Sequence, residues 1–423
     1  MKSFFKNISF MWISALCSAV LAFLFQVLLA RTLEPRLLGE FNSTLSFILI
    51  FGALSGFGVD NTILKIFAKS ISYGNSYGKS IGLYIISSSI FSLILLMSFS
   101  FFINGIVIDN IFILSPLIFS LGFFNLQSAV YQIEAKYNKL ALWQIANSLI
   151  RLLVIIPLLF DLLERDKIYY LYSLSSILIV VFSIPSMLKL LNGMINHKED
   201  KEDKGIIYIL KQSFPFGIGG LAHTLYFQSN IYLLSHLYSN ESAAYYSVSF
   251  SILLAVYLFP AVVFQKVLLP RIHEWSYRDI DKLVRVFQYG NGFMILSGVF
   301  FSIFIYFLSP TVITIFFGDE YLESIYILKL LTFVIPIRFL ISSCGSILST
   351  RNLVNYKVIM MSLVAVLNFI LSYLLIPEYG IDGAVVMLIL SELLLCILFL
   401  FVIYKKMFGI RTMKNWFEIK VFK

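Results

Sequence analysis

The chain has little charge for its length. Only 13 % of its 423 residues are Asp, Glu, Lys or Arg, and 59 % are hydrophobic, whereas soluble domains carry about 25 % charged residues. No polar segment is long enough to form a separate soluble domain. These shortages exclude a soluble globular protein. Apolar runs of about 18 or more residues recur along the chain and are long enough to cross a bilayer, so we predict an all-α polytopic membrane protein.

The sequence also lacks the usual marks of an enzyme. Its three cysteines, Cys17, Cys344 and Cys396, lie far apart inside apolar runs, which predicts neither a disulfide framework nor a metal site. A phosphate-binding loop, HExxH and CxxC are missing, and each of these motifs would need a specific strand, helix or loop context. We therefore predict a protein that is not an enzyme and holds no cofactor, with its functional residues among the spans.

Hydropathy predicts twelve membrane-spanning helices. They cover residues 9–30, 38–59, 80–103, 111–132, 141–160, 168–190, 212–237, 243–264, 287–308, 323–347, 354–376 and 382–404. The polar stretch "NHKEDKEDKG" divides six spans from six. We predict two pseudo-symmetric six-helix lobes (1–190 and 212–404), a linker (191–211) and a basic tail (405–423). Because six spans per lobe is even, the lobes are expected to be parallel repeats.

Lysine and arginine set the predicted orientation. With the N-terminus in the cytoplasm, cytoplasmic segments hold 25 of the 32 Lys and Arg residues when Lys189 and Lys357, at the cytoplasmic ends of spans 6 and 11, are counted with them. The outer loops hold Arg31, Arg36, Arg165 and Lys167. The positive-inside rule then places both termini in the cytoplasm. The net charge of +9 is mostly this orientation signal, so nucleic acid is not an expected partner. The basic tail is expected to lie on the anionic cytoplasmic leaflet.

Three cations fall inside predicted spans and away from the spans' cytoplasmic ends. Arg151 lies eleven residues into span 5, near the midplane; Arg338 lies in span 10, and Lys329 is closer to that span's outer end. Ionisable groups inside a membrane usually face a cavity or pair with one another. We predict that these three residues line a substrate cavity and meet an anion. A structural pair with a buried acid, or snorkelling to headgroups, is the alternative.

Three acids are candidates for coupling transport to an ion. Glu392 lies deep in span 12, and Asp60 and Glu134 lie at the ends of spans 2 and 4. A neutral, hydrogen-bonded packing role is the alternative for Glu392. Interfacial positions beside Lys65 and Lys136 are the alternative for the other two.

Polar side chains in spans 1, 2 and 7 suggest a sugar-binding surface. In span 7, His223, Tyr226 and Asn230 share one helical face, after first turns that contain Pro215 and three glycines. Gln26 and Asn42 add amides in spans 1 and 2. A sugar cavity needs such hydroxyls and amides, but ordinary interhelical hydrogen bonds use the same groups.

Two stretches carry a resemblance to a known family. "ARTLEPRLLGEF" (30–41) and "PEYGIDGA" (377–384) resemble motifs of bacterial Wzx-type polysaccharide flippases, in the superfamily that includes MATE exporters and MurJ. "AAYYSVSFSI" (243–252) is similar to the start of span 8 in that family. The twelve-span layout covers the whole chain, whereas MurJ-type proteins usually carry fourteen spans.

The resemblance implies a flippase for undecaprenyl-pyrophosphate-linked oligosaccharide in the bacterial inner membrane. It would feed O-antigen or a related surface polymer by alternating access, with the lipid bilayer and polysaccharide polymerase machinery as partners. Sugar hydroxyls are costly to desolvate, about 2–7 kcal/mol each, so a polar cavity is needed. The alternatives are a MATE-like cation-coupled exporter of small amphiphiles and, less favoured, a membrane glycan polymerase or ligase.

The motif ARTLEPRLLGEF (30–41) forms the predicted outer elbow between spans 1 and 2. Arg31 ends span 1, where it either stabilises helix carbonyls or binds phosphate at the outer exit; we favour the structural role. Arg36, beside Glu34 and Glu40, is expected to form a surface ion pair.

Overall fold

The computed structural model describes residues 2–67, 77–101, 108–191 and 205–417. Every regular element within these residues is helical. The chain divides into two compact units, Met1–Tyr232 and Leu233–Lys423. The predicted linker 191–211 falls mostly on 192–204, which lie outside the described residues.

The first unit contains ten helices among the described residues, the last of which continues past its boundary. They are α1 (Lys2–Thr32), α2 (Pro35–Gly52), α3 (Val59–Phe67), α4 (Gly78–Ser100), α5 (Ile108–Leu114), α6 (Pro116–Ile133), α7 (Tyr137–Leu153), α8 (Ile156–Leu159), α9 (Ile168–Leu191) and α10 (Gly205–Leu237). A short 3₁₀ turn, Arg165–Lys167, precedes α9. Helix α10 runs unbroken through Pro215, so the proline and glycines in the first turns of span 7 do not interrupt its helix.

The second unit is built from longer helices. They are α11 (Asn240–Pro260), α12 (Leu269–Arg278), α13 (Ile280–Val312), α14 (Glu323–Leu331), α15 (Val334–Leu348) and α16 (Val354–Ile403). Short π and 3₁₀ turns join or follow them at Ala261–Leu268, Ile313–Phe317, Asp319–Tyr321, Arg351–Leu353, Tyr404–Phe408 and Gly409–Met413. The chain bends by 44° at the short break between helices α14 and α15.

Many of these helices suit a membrane. Within the described residues, eight helical segments are long and apolar enough to cross one, and the bent pair α14–α15 makes nine if it counts as one span. Large apolar side chains such as Phe300, Phe307 and Ile397 lie on their exposed faces, as expected where lipid replaces water. The chain is therefore a multi-pass membrane protein, and the predicted count of twelve crossings stays a prediction.

Helix α16 contains the predicted elbow between spans 11 and 12. Its helical geometry is broken at Gly380, where φ is 53° and ψ is −128°. Side chains are strongly disfavoured at this backbone conformation. In addition, a Cβ on Gly380 would lie 2.7 Å from the Tyr238 ring. The glycine of the PEYGIDGA motif therefore serves both the turn and a close contact.

Predicted spans 2 and 7 are not among the strongly apolar helical segments of the described chain. They correspond to α2–α3 and α10, which lie against each other in the first unit. Ser46 donates to Gln228 Oε1 at 2.9 Å, and Ser213 donates to Thr62 Oγ1 at 2.9 Å. Buried hydroxyls and amides need such partners in a membrane, so the polarity of both helices is explained in part by their mutual packing.

Candidate substrate-binding site

Arg151 occupies the last turn of α7 rather than the middle of an unbroken span. The helix ends at Leu153, and a new one begins at Ile156, with Pro157 in its first turn. Proline lacks an N–H and clashes with the carbonyl four residues earlier, which explains the break. The predicted span over 141–160 therefore contains a break in its helix, and the midplane position of Arg151 stays a prediction.

The Arg151 guanidinium lies on an aromatic ring. Its Cζ is 5.2 Å from the centroid of the Tyr172 ring in α9. Its Nε is buried and has no hydrogen-bond partner in the described part of the chain. Among the described residues, no carboxylate lies within ion-pair distance of Arg151. A half-buried cation held in this way is suited to accept an anionic group.

Tyr172 is held in place by other aromatic side chains. Its ring lies 5.8 Å from Phe25 of α1 and 5.5 Å from Phe41 of α2. Phe41 also packs edge-on against Tyr169, whose hydroxyl donates to Glu40 Oε1 at 3.2 Å. Such aromatic pairs favour defined ring geometries. The surface under the Arg151 guanidinium is therefore built from three helices.

Further polar atoms without partners lie on the same helices. Ser18 Oγ in α1 and Asn147 Oδ1 in α7 are buried and have no hydrogen-bond partner within the described residues, and α1 and α7 pack extensively against each other. Buried unsatisfied polar atoms are uncommon and call for a water or a ligand. Gln26, half-buried in α1, and Asn42, buried in α2, add amides to this unit.

Arg338 of the second unit has a different environment. Its Nη1 donates to Glu392 Oε1 at 3.2 Å and approaches Oε2 at 3.5 Å. The arginine side chain is 17 % exposed and the glutamate 0 %. The guanidinium also lies 5.5 Å from the Tyr257 ring centroid. The pair agrees with the alternative reading of Arg338 as the partner of a buried acid.

Two amide–hydroxyl pairs lie within the second unit. Ser343 donates to Asn291 Oδ1 at 2.6 Å, and Ser391, next to Glu392, donates to Asn368 Oδ1 at 3.1 Å. Asn291 and Asn368 are fully buried. Neither asparagine was among the predicted site residues, although a polar residue inside an apolar run is a signal that the sequence contains.

The other predicted charged residues have local contacts. Lys329 Nζ lies 5.3 Å from the Tyr306 ring centroid. Glu134 pairs with Lys136 at 2.7 Å, and Asp60 accepts from Asn61 at 3.1 Å. Lys65, the expected neighbour of Asp60, donates instead to Gln212. The ion-coupling role of Glu392, Asp60 and Glu134 stays a prediction.

The predicted polar face of span 7 is only partly buried. Tyr226 and Asn230 are buried, whereas His223 is exposed and packs against the Phe227 ring at 4.7 Å. The three side chains therefore do not share one environment. Their role in sugar binding stays a prediction.

The elbow between α1 and α2 is shorter than expected, with only Leu33 and Glu34 outside helix. Arg31 lies in the last turn of α1, where a cation stabilises helix carbonyls. Glu34 pairs with Arg165 at 3.4 Å, and Glu40 accepts from Asn110 at 2.9 Å. The expected surface pairing of Arg36 with these glutamates was wrong, because no ion pair joins them within the described chain.

Known proteins share both the sequence pattern and the fold. A family model described as polysaccharide biosynthesis protein matches residues 4–276. The capsular polysaccharide biosynthesis protein CapF of Staphylococcus aureus is 24 % identical over 427 residues, covering 95 % of this chain and 100 % of CapF.

Two solved membrane proteins have similar structures. Lipid II flippase MurJ in an inward closed conformation has a TM-score of 0.71 at 17 % identity, covering 93 % of this chain and 87 % of MurJ. An inward-facing multidrug resistance MATE family transporter has a TM-score of 0.69 at 14 % identity, covering 90 % of this chain and 93 % of the transporter. At these identities the similarity describes the fold.

Proposed function

Because the chain belongs to the polysaccharide biosynthesis protein family, we propose that it is a flippase for lipid-linked oligosaccharides. It moves undecaprenyl-pyrophosphate-linked repeat units from the cytoplasmic to the periplasmic leaflet of the bacterial inner membrane. The units feed O-antigen or a related surface polysaccharide, and polymerase machinery receives them. Twelve crossings in two lobes, with both termini in the cytoplasm, provide the framework for alternating access.

The pyrophosphate is the part of this substrate that Arg151 is suited to bind. The main support for this role is that Arg151 lies over the Tyr172 ring and that its buried Nε has no hydrogen-bond partner among the described residues. A phosphate oxygen supplies the charge-assisted hydrogen bond that the site lacks. Arg338 already donates to Glu392 and is the less available of the two predicted arginines.

The glycan is proposed to meet amides and hydroxyls of the spans. Asn42 is buried in α2, and Tyr226 and Asn230 are buried in α10. Gln26 and His223 are more accessible, and Lys329 is a separate candidate contact in the second unit. The prenyl tail, which has no polar groups, stays in lipid while the headgroup crosses.

An exporter of small cationic amphiphiles is the alternative, because the fold is also that of a MATE transporter. A cation would need a carboxylate that is open to it. Glu392, the buried acid predicted for coupling, is occupied by Arg338. Arg151, a half-buried cation with no carboxylate within ion-pair distance among the described residues, favours an anionic substrate.

Complementation tests the proposal. Expression of this chain in a strain that lacks its own flippase and makes a compatible glycan should restore the surface polymer. Arg151→Gln should abolish restoration, and Arg151→Lys should retain part of it, since the charge remains but the planar donor is lost. Membrane abundance of each variant is the control. Full restoration by an abundant Arg151→Gln protein would refute the role of Arg151.

A further inference from the structure

The C-terminal segment, Tyr404–Phe417, turns back as soon as the last long helix ends. Helix α16 ends at Ile403, and the turn Tyr404–Phe408 follows directly. Gly409 then adopts a φ of 55° and a ψ of −136°, a conformation open to glycine and strained for other residues. The chain is thereby redirected toward helix α13 of the same unit.

One face of this segment is fixed on the start of α13. The Phe408 ring packs 5.3 Å from the Phe287 ring. Gln288 donates to the Arg411 carbonyl oxygen at 2.6 Å, and Arg411 Nη1 lies 2.8 Å from Asp281 Oδ1. The sequence predicted that the tail lies on the leaflet, and the protein contacts of this face were not part of that prediction.

The end of the segment is anchored as well. Trp416 Nε1 donates to the Thr412 carbonyl oxygen at 2.7 Å, and Thr412 is fully buried. The Trp416 carbonyl lies against Gly292 of α13, where no side chain would fit. Phe408, Thr412 and Trp416 therefore mark the docked side at intervals of four residues.

The opposite side is apolar and basic. Ile410, Met413 and Phe417 are 66 %, 60 % and 62 % exposed. Lys405, Lys406 and Lys414 are also exposed, and residues 404–417 contain no Asp or Glu. Apolar side chains that flank lysines are the composition of segments that insert shallowly into an anionic bilayer surface.

Continuity with the membrane helix places this side near the bilayer. Only six residues separate Ile403, the end of α16, from Ile410. Lys405 Nζ lies 5.8 Å from the ring centroid of Phe401, a residue exposed on α16. This is the arrangement of a lysine that extends from an apolar helix face toward headgroups.

We propose that Tyr404–Phe417 is a two-sided clasp whose exposed side binds anionic phospholipid. Ile410, Met413 and Phe417 enter the interface, and Lys405, Lys406 and Lys414 meet the headgroup phosphates. The docked side transmits this attachment to the start of α13. The clasp thereby ties the second unit to the leaflet at the end of its last helix.

A fluorescent label on the clasp tests the proposal in the full chain. Met413→Cys is labelled with an environment-sensitive nitrobenzoxadiazole in a Cys17→Ser background, because Cys17 is exposed and the other two cysteines are buried. In nanodiscs, emission should be stronger and at shorter wavelength with phosphatidylglycerol than with phosphatidylcholine alone. High salt should reverse the change, since the attraction is screened.

Charge variants separate lipid binding from other contacts. Replacing Lys405, Lys406 and Lys414 by Gln should weaken the association about fivefold per lysine, and replacing them by Arg should retain it. If the labelled protein that retains all three lysines gives equal emission in both kinds of nanodisc, the proposal is overturned. A full response from the Gln variant, or a blue shift that depends on protein concentration and indicates a second copy, would do the same.

Discussion

Arg338 donates to Glu392, 54 positions further along the chain, at 3.2 Å. The glutamate is 0 % exposed and the arginine 17 %, so the pair lies inside the second unit. Arg151, the other arginine predicted within a span, lies against an aromatic ring instead. Two arginines that both lie inside predicted spans therefore differ in what they can bind.

Breaking the Arg338–Glu392 pair from one side should destabilise the protein. Arg338→Met leaves the buried carboxylate without its cation, and loss of one member of a buried pair costs about 3–5 kcal/mol. We expect a clearly lower thermal unfolding midpoint in detergent, measured by intrinsic fluorescence.

The double variant Arg338→Met with Glu392→Leu is the control. Apolar residues of similar volume often replace a buried ion pair without loss, so most of the stability should return. If Arg338→Met alone unfolds at the wild-type temperature, the pair contributes no stability.

Gly380 should tolerate alanine poorly. The substitution combines a positive φ with a Cβ close to the Tyr238 ring, and strained backbone of this kind costs about 1–3 kcal/mol. Gly220→Ala is the matched control, because nothing lies within 4 Å of its Cβ position. Alanine in a helix interior should be neutral or stabilise by about 0.5–1 kcal/mol there. Thermal unfolding of both variants measures the difference, and equal midpoints would contradict the strain at Gly380.

The Thr62–Ser213 contact should show coupling between α3 and α10. Thr62→Val removes the acceptor of the fully buried Ser213 hydroxyl, which costs about 1–3 kcal/mol. Adding Ser213→Ala should recover much of that loss, because no unpaired hydroxyl remains. A double-mutant cycle of unfolding free energies gives the coupling, and strictly additive effects would argue against the contact.

Arg31→Lys should leave export intact. The residue lies in the last turn of α1, where either cation interacts favourably with helix carbonyls. Surface-polymer restoration at normal membrane abundance measures it, with Arg31→Glu as the charge-reversed comparison. Loss of export by an abundant Arg31→Lys protein would favour a phosphate contact at the outer exit.

The sequence predicted the family, the helical membrane class and a break between spans 354–376 and 382–404, because these depend on hydropathy and on local motifs. Membership in the polysaccharide biosynthesis family is confirmed. The polarity of spans 2 and 7 also suggested a buried polar surface. Part of it proved to be helix packing through contacts such as Ser46–Gln228, which no local pattern distinguishes from a ligand surface.

Long-range partners were beyond the sequence. Glu392 and Arg338 occupy separate helices, and only the fold brings them together. Tyr172 resembled many other tyrosines near span ends, and its position under Arg151 depends on the packing of Phe25 and Phe41. The tail illustrates the same limit, since its composition suited a membrane surface but did not reveal its contacts with α13.

Translocation in proteoliposomes tests the central claim most directly. Purified protein is reconstituted with a fluorescent undecaprenyl-pyrophosphate-linked oligosaccharide, and the fraction that becomes accessible to an impermeant quencher or lectin is followed over time. Wild-type protein should accelerate exchange between leaflets, Arg151→Gln should reduce the rate to that of protein-free vesicles, and the Arg338→Met, Glu392→Leu double variant should retain activity. Exchange by Arg151→Gln at the wild-type rate, or no exchange by the wild-type protein when a control flippase is active, would contradict the account.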